Sequence, residues 1–347
     1  MAQVTMEWES RIGQRLRVRD LYILSTAVRL GSMAKAARAL GMSQPAVSEA
    51  IANLEHLVRV RLLDRSPHGI APTIYAEAML KRAVTVFDEL KHVVSDIEFL
   101  SDPTTGHLTT GYTDMIASVF PKIVQRFSEK FPRVVVQADV VQSPVTPSLP
   151  ALRDRTFDLV LGRSPPPVDD PLMHDIHAEA LFEDPMVVVA SVDSPWAKRR
   201  QIDLSELADE HWILSPPKGW TYELVAAAFK SHGQAMPVAH LVTNSLDLRA
   251  KMVAGGRFIT VAPMSAVRND DNRYGLKPLP VELPPWSWPV TVFTLKDRTP
   301  SPVVERFIEC AREVAASMAG KPRSLKTPRT PPRRRRSSRR QSARSRP

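Results

Sequence analysis

The sequence predicts an α/β protein in three parts: a mostly helical head, one long linker helix and a larger α/β domain. Three short amphipathic stretches separated by turns lie between residues 18 and 58. A seam of apolar residues spaced four and three apart runs along residues 74–100. After residue 103, short apolar runs alternate with helical stretches, which is typical of open α/β sheets, here two of them.

Composition restricts the class of protein. The 347 residues are enough for more than one domain, and 43% of them are hydrophobic, which supplies a sizeable core. The single cysteine, Cys310, excludes an internal disulfide framework. Charged residues at 7 and 9 interrupt the place of a secretory signal, and no apolar run reaches the roughly 18 residues that a membrane span needs. We expect a cytoplasmic protein with no membrane partner.

The formal net charge of +10 is unevenly distributed. Residues 320–347 contain twelve of the 47 Lys and Arg residues and no Asp or Glu. The rest of the chain therefore has 35 basic and 37 acidic residues, which is close to neutral. Residues 1–66 hold ten basic and six acidic residues. Both the head and the tail are therefore expected to attract polyanions. The segment 319–347 is Pro, Ser and Arg with almost nothing to bury, and we expect it to be disordered.

The predicted head follows a short extension over residues 1–17. Its first helix ends at Gly31, and Ser32 can cap a second, short helix. A turn over residues 41–43 leads into a third helix with Pro45 in its first turn, where the missing N–H costs nothing. A small β-wing is expected around residues 62–69. The residues predicted on the inner sides of the three helices are Leu21, Leu24, Val28, Ala36, Ala37, Leu40, Val47, Ile51, Leu54 and Val58.

A short helix, a tight turn and a second helix with small polar residues form the helix-turn-helix plan. Gln, Ser and Asn side chains can bond base edges or phosphates, and Ala can contact a thymine methyl group. The amino end of the third helix is expected in the major groove, where its free N–H groups also suit a phosphate. An ordinary three-helix bundle, with Ser43 as a cap only, is the alternative. The candidate DNA-facing residues here are Ser32, Ser43, Gln44, Pro45, Ala46, Ser48, Glu49 and Asn53.

The predicted linker helix ends at Asp102. Its apolar seam extends over about three heptads, the spacing of a helix that pairs with another helix. We expect a homodimer or homotetramer built on this seam, and a plain core helix is the alternative. The candidate dimerisation residues are Met79, Ala83, Val86, Leu90, Val93 and Ile97.

Beyond the linker, strands and helices are predicted in alternation. The predicted strands cover residues 108–112, 134–141, 157–162, 186–191, 212–214, 258–262 and 290–295. The predicted helices cover residues 116–131, 149–155, 221–232, 246–254 and 302–318.

The head resembles that of the LysR-type regulators. Matching positions share one register: Ala36, Ala37, Leu40, the run from Ser43 to Ser48, Ile51, Leu54, Glu55, Val60, Leu62, Asp64, Arg65 and Thr73. The resemblance implies a winged helix-turn-helix with Gln44 to Glu49 near bases, Arg65 and Thr73 near the DNA backbone, and a dimer built on the linker helix. Three positions depart from the family pattern, with Arg59 and Ala76 in place of a usual Gly and Leu63 in place of a usual Phe.

The remaining chain resembles the effector domain of the same regulators, which is similar to periplasmic binding proteins. The landmarks are residues 157–162, 216–219, 244–245 and 255–263. The resemblance implies a winged helix-turn-helix domain over 18–75, a linker helix over 76–102 and an effector domain over 103–318. The effector domain would have subdomain I at about 103–184 and 287–318, subdomain II at about 185–286, and the ligand between them.

A pocket is expected where strands end and helix amino termini offer free N–H groups. Lys218 would favour an anionic effector and Asp114 would disfavour one, a conflict that the sequence leaves open. Each of these residues has an alternative role as a cap or a turn residue. The candidate effector-binding residues are Thr113, Asp114, Met115, Gln142, Ser143, Lys218, Thr221 and Asn244.

Enzyme signatures are missing from the sequence: it has no phosphate-binding glycine loop and no G-x-S-x-G turn. His174 and His177 lie near Asp175, but no third and fourth metal ligands cluster with them. We expect no catalysis, cofactor or metal. The predicted function is a sequence-specific transcription regulator that binds double-stranded DNA and a small-molecule effector, with RNA polymerase as a further partner. An architectural DNA-binding protein acting mainly through its basic tail is the alternative, whereas a solute receptor would need an export signal.

Overall fold

The computed structural model describes residues 15–66, 69–102, 104–141, 149–163, 173–217, 219–268, 272–286 and 288–318. The predicted three helices, wing and long linker helix are all present. In chain order the elements are α1 (Val18–Leu30), α2 (Met33–Leu40), α3 (Gln44–Val58), β1 (Leu63–Ser66), β2 (Gly69–Pro72) and α4 (Ile74–Ser101).

The head helices begin where side chains satisfy their free N–H groups. The Ser32 hydroxyl accepts a hydrogen bond from the backbone N–H of Lys35 at 3.4 Å, and the Ser43 hydroxyl accepts one from Ala46 at 3.3 Å. The inner sides of α1, α2 and α3 meet in one core that includes Leu24 and is closed by the wing and the start of α4. Burying each aliphatic side chain contributes roughly 1.5–3 kcal/mol.

The head contains two positions with positive φ that matter for its geometry. Arg59 ends α3 with φ 59° and ψ 28°, the strained left-handed cap that the missing glycine implies. Gly69 has φ 129°, and an added Cβ would lie 2.6 Å from the carbonyl oxygen of Gly31, so the wing requires glycine there. Leu63 and Ala76, the other two departures from the family pattern, are buried in the head core.

The first turns of α4 belong to the head. Ala83 is buried, Met79 is half-buried, and both pack in the head core of their own chain, while Phe87 contacts Tyr22 edge-to-face at 5.8 Å between ring centroids. The surface left for a second helix therefore begins at Val86. Its exposed apolar residues at heptad spacing are Val86, Leu90, Val93, Ile97 and Leu100.

Among the described residues, the predicted α/β domain contains two five-stranded sheets. The first sheet has the order β4 (Arg133–Val140), β3 (Thr105–Tyr112), β5 (Leu159–Arg163), β12 (Val290–Leu295) and β6 (Ile176–Phe182). The second sheet has the order β11 (Leu276–Pro278), β7 (Met186–Ser191), β10 (Phe258–Pro263), β8 (His211–Leu214) and β9 (Ala239–Val242). Strands β3, β4 and β5 run parallel to one another, as do β8, β9 and β10.

The sequence prediction missed β6, β9 and β11, which are all edge strands. They lack the continuous apolar run of a central strand because β6 and β9 are partly exposed and β11 has three residues. The helices were predicted more accurately, and only the start of α5 is clearly different, because a 3₁₀ turn over Asp114–Ile116 precedes it. They are α5 (Phe120–Lys130), α6 (Leu149–Arg153), α7 (Trp220–Ser231), α8 (Leu246–Ala254) and α9 (Pro302–Met318).

A buried ionic cluster fixes the crossing between the two sheets. Arg163 at the end of β5 pairs with the carboxylate of Asp184, which lies between β6 and β7, and donates to its carbonyl oxygen at 2.7 Å. Ser265, just after β10, donates to the Asp184 carboxylate at 2.6 Å, and its hydroxyl lies 2.8 Å from that of Ser118. Since these partners belong to both sheets, the cluster sets how the sheets face each other.

Candidate DNA-binding surface and ligand cleft

The exposed face of α3 carries the predicted base-contacting residues. Val47, Ala50, Ile51 and Leu54 are buried, which fixes the rotation of the helix on the head. The opposite side is left open to a partner. Ala46 and Ser48 are half-buried there, and the other candidates at and along this helix are exposed: Ser43, Gln44, Pro45, Glu49 and Asn53.

The two residues predicted to contact the DNA backbone, Arg65 and Thr73, differ in whether their side chains already form hydrogen bonds within the protein. Arg65 is exposed on β1. The Thr73 hydroxyl donates to the carbonyl of Arg61 at 2.8 Å and accepts from the N–H of Ala76 at 3.3 Å, so Thr73 ties the wing to α4. The Glu55 carboxylate accepts the N–H of Leu62 at 2.7 Å and thereby anchors the entry to the wing.

An arginine-lined groove runs beside this face of α3. It has a volume of about 660 Å³ and places Ala46, Glu49 and Asn53 on one wall. Glu49 and Asp20 are its acidic residues. Of the groove arginines, the sequence had singled out only Arg59, as a departure from the family pattern, although the local excess of basic residues over 1–66 was a signal for the others. The basic residues lining it are Arg15, Arg17, Arg19, His56 and Arg59.

A cavity of about 270 Å³ lies where the carboxyl ends of the parallel strands of the two sheets meet. It is formed by the loop after β3, the end of β4, the start of α7 and the loop between β9 and α8. Five predicted residues come together here: Thr113, Asp114, Met115, Thr221 and Asn244. The other three candidates, Gln142, Ser143 and Lys218, lie outside the described residues.

Arg249 is the charged residue of this cavity that the sequence did not reveal. It lies on α8, is 1% exposed, and its Nε and Nη2 atoms donate to the carbonyl of Thr243 at 3.0 and 2.6 Å. Burial lowers the pKa of its guanidinium to about 10, so it is charged at neutral pH. The Nη1 atom has no hydrogen-bond partner among the described residues, and neither has the buried hydroxyl of Thr113.

Asp114 bridges the cleft from the first sheet to the second. Its Oδ2 atom accepts the backbone N–H of Leu246, the first residue of α8. The Ser245 hydroxyl caps the same helix by accepting from Leu248 at 3.2 Å. Asp114 therefore occupies the amino terminus of α8, the position where a helix ordinarily attracts an anion.

A second buried ionic cluster attaches α4 to the first sheet. Asp88 on α4 contacts Arg155 at 2.5 Å and Arg298 at 3.0 Å, and Arg298 donates to Asp158 at 2.8 Å. Burial raises the pKa of the Asp158 carboxyl, but the nearby His92 imidazole, two hydrogen bonds from Thr109 and the charge of Arg298 outweigh this and hold the pKa below its usual value. The linker helix is thus joined to the sheet by fixed charges.

The cysteine and one of the aspartates considered in the sequence are buried or paired within the fold. Cys310 is buried in α9, and burial raises the pKa of its thiol. Asp175 pairs with Arg153 at 2.7 Å. Within the described ranges, no group of three or more His, Cys, Asp or Glu side chains could hold a metal ion. None of the helices in the part of the chain that the structure describes is long and apolar enough to cross a membrane.

Two family models match the chain. The family model described as bacterial regulatory helix-turn-helix protein, lysR family, matches residues 18–77, and that of the LysR substrate binding domain matches residues 101–316. A DNA-binding head joined to a ligand-binding domain defines a ligand-responsive transcription regulator. The chain belongs to the LysR family of transcriptional regulators, which bind DNA and small-molecule effectors and form oligomers. The resemblance inferred from the sequence is confirmed.

Individual relatives are distant in sequence. The transcriptional regulator TdcA of Escherichia coli is 26% identical over 71% of this chain and 77% of its own. The dual regulator GltC of Bacillus subtilis is 26% identical over 76% of this chain and 86% of its own. Full-length OxyR from Pseudomonas aeruginosa shares the fold with a TM-score of 0.57, 20% identity and coverage of 86% and 94% of the two chains. CbnR complexed with its target DNA gives a TM-score of 0.56 at 19% identity, covering 86% and 100%.

Proposed function

We propose that this regulator contacts a specific DNA sequence through the exposed face of α3 and responds to a small ligand that bears a carboxylate. The observation that carries the ligand class is the unpartnered Nη1 atom of buried Arg249 at the 270 Å³ cavity. A buried cation without a direct ion-pair partner is costly, and a bound carboxylate would lower that cost.

On the DNA side, Gln44 and Ser48 are the side chains that we assign to base edges. The arginine-lined groove beside α3 suits the phosphate backbone, because Arg15, Arg17 and Arg19 supply positive charge next to the base-contacting face. Arg65 on the exposed wing is assigned to the same backbone. Phosphate contacts of this kind fix the position of the head but carry no sequence information.

On the ligand side, Arg249 and Thr113 offer hydrogen-bond donors, and Trp220 and Met115 supply apolar surface. The volume of about 270 Å³ lies just below the ~300–1,000 Å³ of drug-sized sites, which fits a small metabolite. Lys218, Gln142 and Ser143 stay candidates for the same ligand on sequence grounds alone.

The division of the chain that we propose follows these roles. Residues 18–75 contact DNA, 76–102 join subunits through the exposed seam, and 103–318 bind the effector. We assign the protein to the cytoplasm, where it would act on DNA together with RNA polymerase and without catalysis of its own. The basic tail over 319–347 supports one alternative function. The chain could be an architectural protein that binds DNA mainly through this tail and only weakly through the head.

Single substitutions on α3 test the assignment of base contacts. Gln44→Ala and Ser48→Ala are each expected to weaken binding to a selected DNA site by about 1–3 kcal/mol, because each removes a base-edge contact. Binding to random DNA should stay unchanged. Fluorescence anisotropy with both DNAs measures this, and Gln125→Ala, an exposed glutamine on α5, is the control. Wild-type affinity for the selected site in both head variants would refute the assignment.

A further inference from the structure

Two opposite charges line the 270 Å³ cavity, and they come from different sheets. Asp114 follows β3 of the first sheet, and Arg249 lies on α8, which packs against the second. The two side chains form no direct ion pair in the described part of the chain, although the lowering of the Arg249 pKa by burial is partly offset by the Asp114 carboxylate, which is near enough to raise it. Each charge therefore remains able to bind a group of the opposite sign placed between them.

Arg249 has binding capacity that the fold does not use. Two of its nitrogen atoms are held by the carbonyl of Thr243, which fixes the plane of the guanidinium, while Nη1 has no partner among the described residues. The hydroxyl of Thr113, a residue 8% exposed, is also unpartnered there and lines the same cavity. A carboxylate fits these two donors, since charge-assisted bonds to a fixed guanidinium are the stronger kind.

Asp114 limits which carboxylate can bind. A ligand with negative charge alone would be brought close to the Asp114 carboxylate, and a ligand with positive charge alone would be brought close to Arg249. Like charges at short range in a site with little water repel strongly. A ligand with both charges on adjacent groups meets each protein charge with its opposite.

We propose that the cleft binds a free α-amino acid, whose carboxylate contacts Arg249 and whose ammonium group contacts Asp114. This inference rests on the proposed function of the cleft as a carboxylate site. The remaining described lining combines the apolar residues Met115, Val141 and Trp220 with the neutral polar residues Thr221, Asn244 and Ser245. It adds no further charge, so we expect the amino-acid side chain to be uncharged. In this proposal Asp114, which on sequence grounds disfavours an anion, binds the ammonium group, and Arg249 supplies the positive charge for the carboxylate.

Matched ligands on the full-length protein test the proposal without any mutation. Thermal shift assays are run with the twenty amino acids, and each amino acid that raises the melting temperature is compared with its 2-hydroxy acid and its decarboxylated amine. Losing either charged group is expected to weaken binding by about tenfold to a hundredfold, the effect of removing a charge-assisted hydrogen bond. Trp220, stacked on Trp288 at 4.6 Å between ring centroids at the edge of the cavity, gives a fluorescence signal for the same titrations.

One substitution checks the role of the negative charge. Asp114→Asn keeps an oxygen that can accept the N–H of Leu246 but removes the carboxylate. It is expected to weaken amino-acid binding by a similar factor and to leave the 2-hydroxy acid unaffected or bound more tightly. Asp247→Asn on α8 removes a charge that pairs with Lys251 instead, and it should change the binding of neither ligand.

The outcomes separate this inference from the function on which it rests. If the 2-hydroxy acid binds the wild-type protein as tightly as the amino acid, the ammonium contact is wrong, although a carboxylate site remains. If only amines bind, both the amino-acid ligand and the carboxylate site are wrong. If no amino acid binds while other carboxylates from a metabolite panel do, the inference fails alone, and if neither class binds, both fail.

Discussion

At the scale of single residues, Arg59 shows how this chain tolerates local strain. A left-handed backbone favours glycine, yet an exposed arginine occupies this position at the end of α3, next to the arginine-lined groove. The side chain adds positive charge beside the DNA-facing surface. A residue that costs stability while adding charge at a binding surface is consistent with a role in phosphate contact.

Replacing this residue separates strain from charge. Arg59→Gly is expected to stabilise the end of α3 by about 1 kcal/mol, because glycine adopts positive φ without the Cβ clash. Hydrogen–deuterium exchange of the α3 amides in the full-length protein measures the change. Arg59→Ala, which removes the charge but keeps a Cβ, should not slow exchange. Equal protection in the two variants would show that the left-handed cap stores no strain.

Helix periodicity correctly predicted which residues of α3 are exposed. The open face of this helix could be derived because its buried stripe leaves only one side free, whereas its contact with DNA stays a prediction. Arg249 could not, because an arginine within a helix ordinarily reaches solvent, whereas this one is buried and donates to the carbonyl of Thr243 in the loop that leads into α8. The spacing of apolar residues in the sequence does not reveal such a backbone contact.

At the scale of elements, α4 joins the three parts of the molecule. Its first turns pack in the head, its Asp88 is held by arginines of the first sheet, and its apolar seam from Val86 onward is exposed. The heptad spacing predicted the seam, although Met79 and Ala83 are already covered by the head of their own chain. Periodicity identifies an apolar stripe but not which neighbour covers each part of it.

Charge introduced into the exposed part of the seam tests its role in assembly. Leu90→Glu is expected to raise the dissociation constant of the oligomer by on the order of a hundredfold or more, since it would bury an unpaired carboxylate. Sedimentation velocity over a range of concentrations measures this. Lys91→Glu, roughly 140° around the helix from Val86, is the matched control and should assemble normally. An unchanged oligomer for Leu90→Glu would exclude the seam as the interface.

At the scale of the whole molecule, two buried ionic clusters join the two sheets to each other and α4 to the first sheet, and so connect the proposed ligand cleft with the proposed DNA-binding head. Arg163, Asp184 and Ser265 hold the two sheets at the crossing beside the cleft, and Asp88 with Arg298 holds α4 to the first sheet. A ligand that changes how the sheets face each other can therefore change the placement of α4 and of the heads attached to it. Such coupling requires the ligand to bind the two arrangements with different affinities.

The most direct test of the central claim, sequence-specific regulation through the head, is to sequence the genomic DNA fragments that the purified protein protects. Full-length protein and a variant truncated after residue 318 are compared at several salt concentrations. We predict the same discrete sites for both, with weaker binding by the truncated protein and a salt slope smaller by about 0.9 for each phosphate that the tail neutralises. Uniform coverage by the full-length protein that disappears on truncation would contradict this and identify an architectural protein acting through its basic tail.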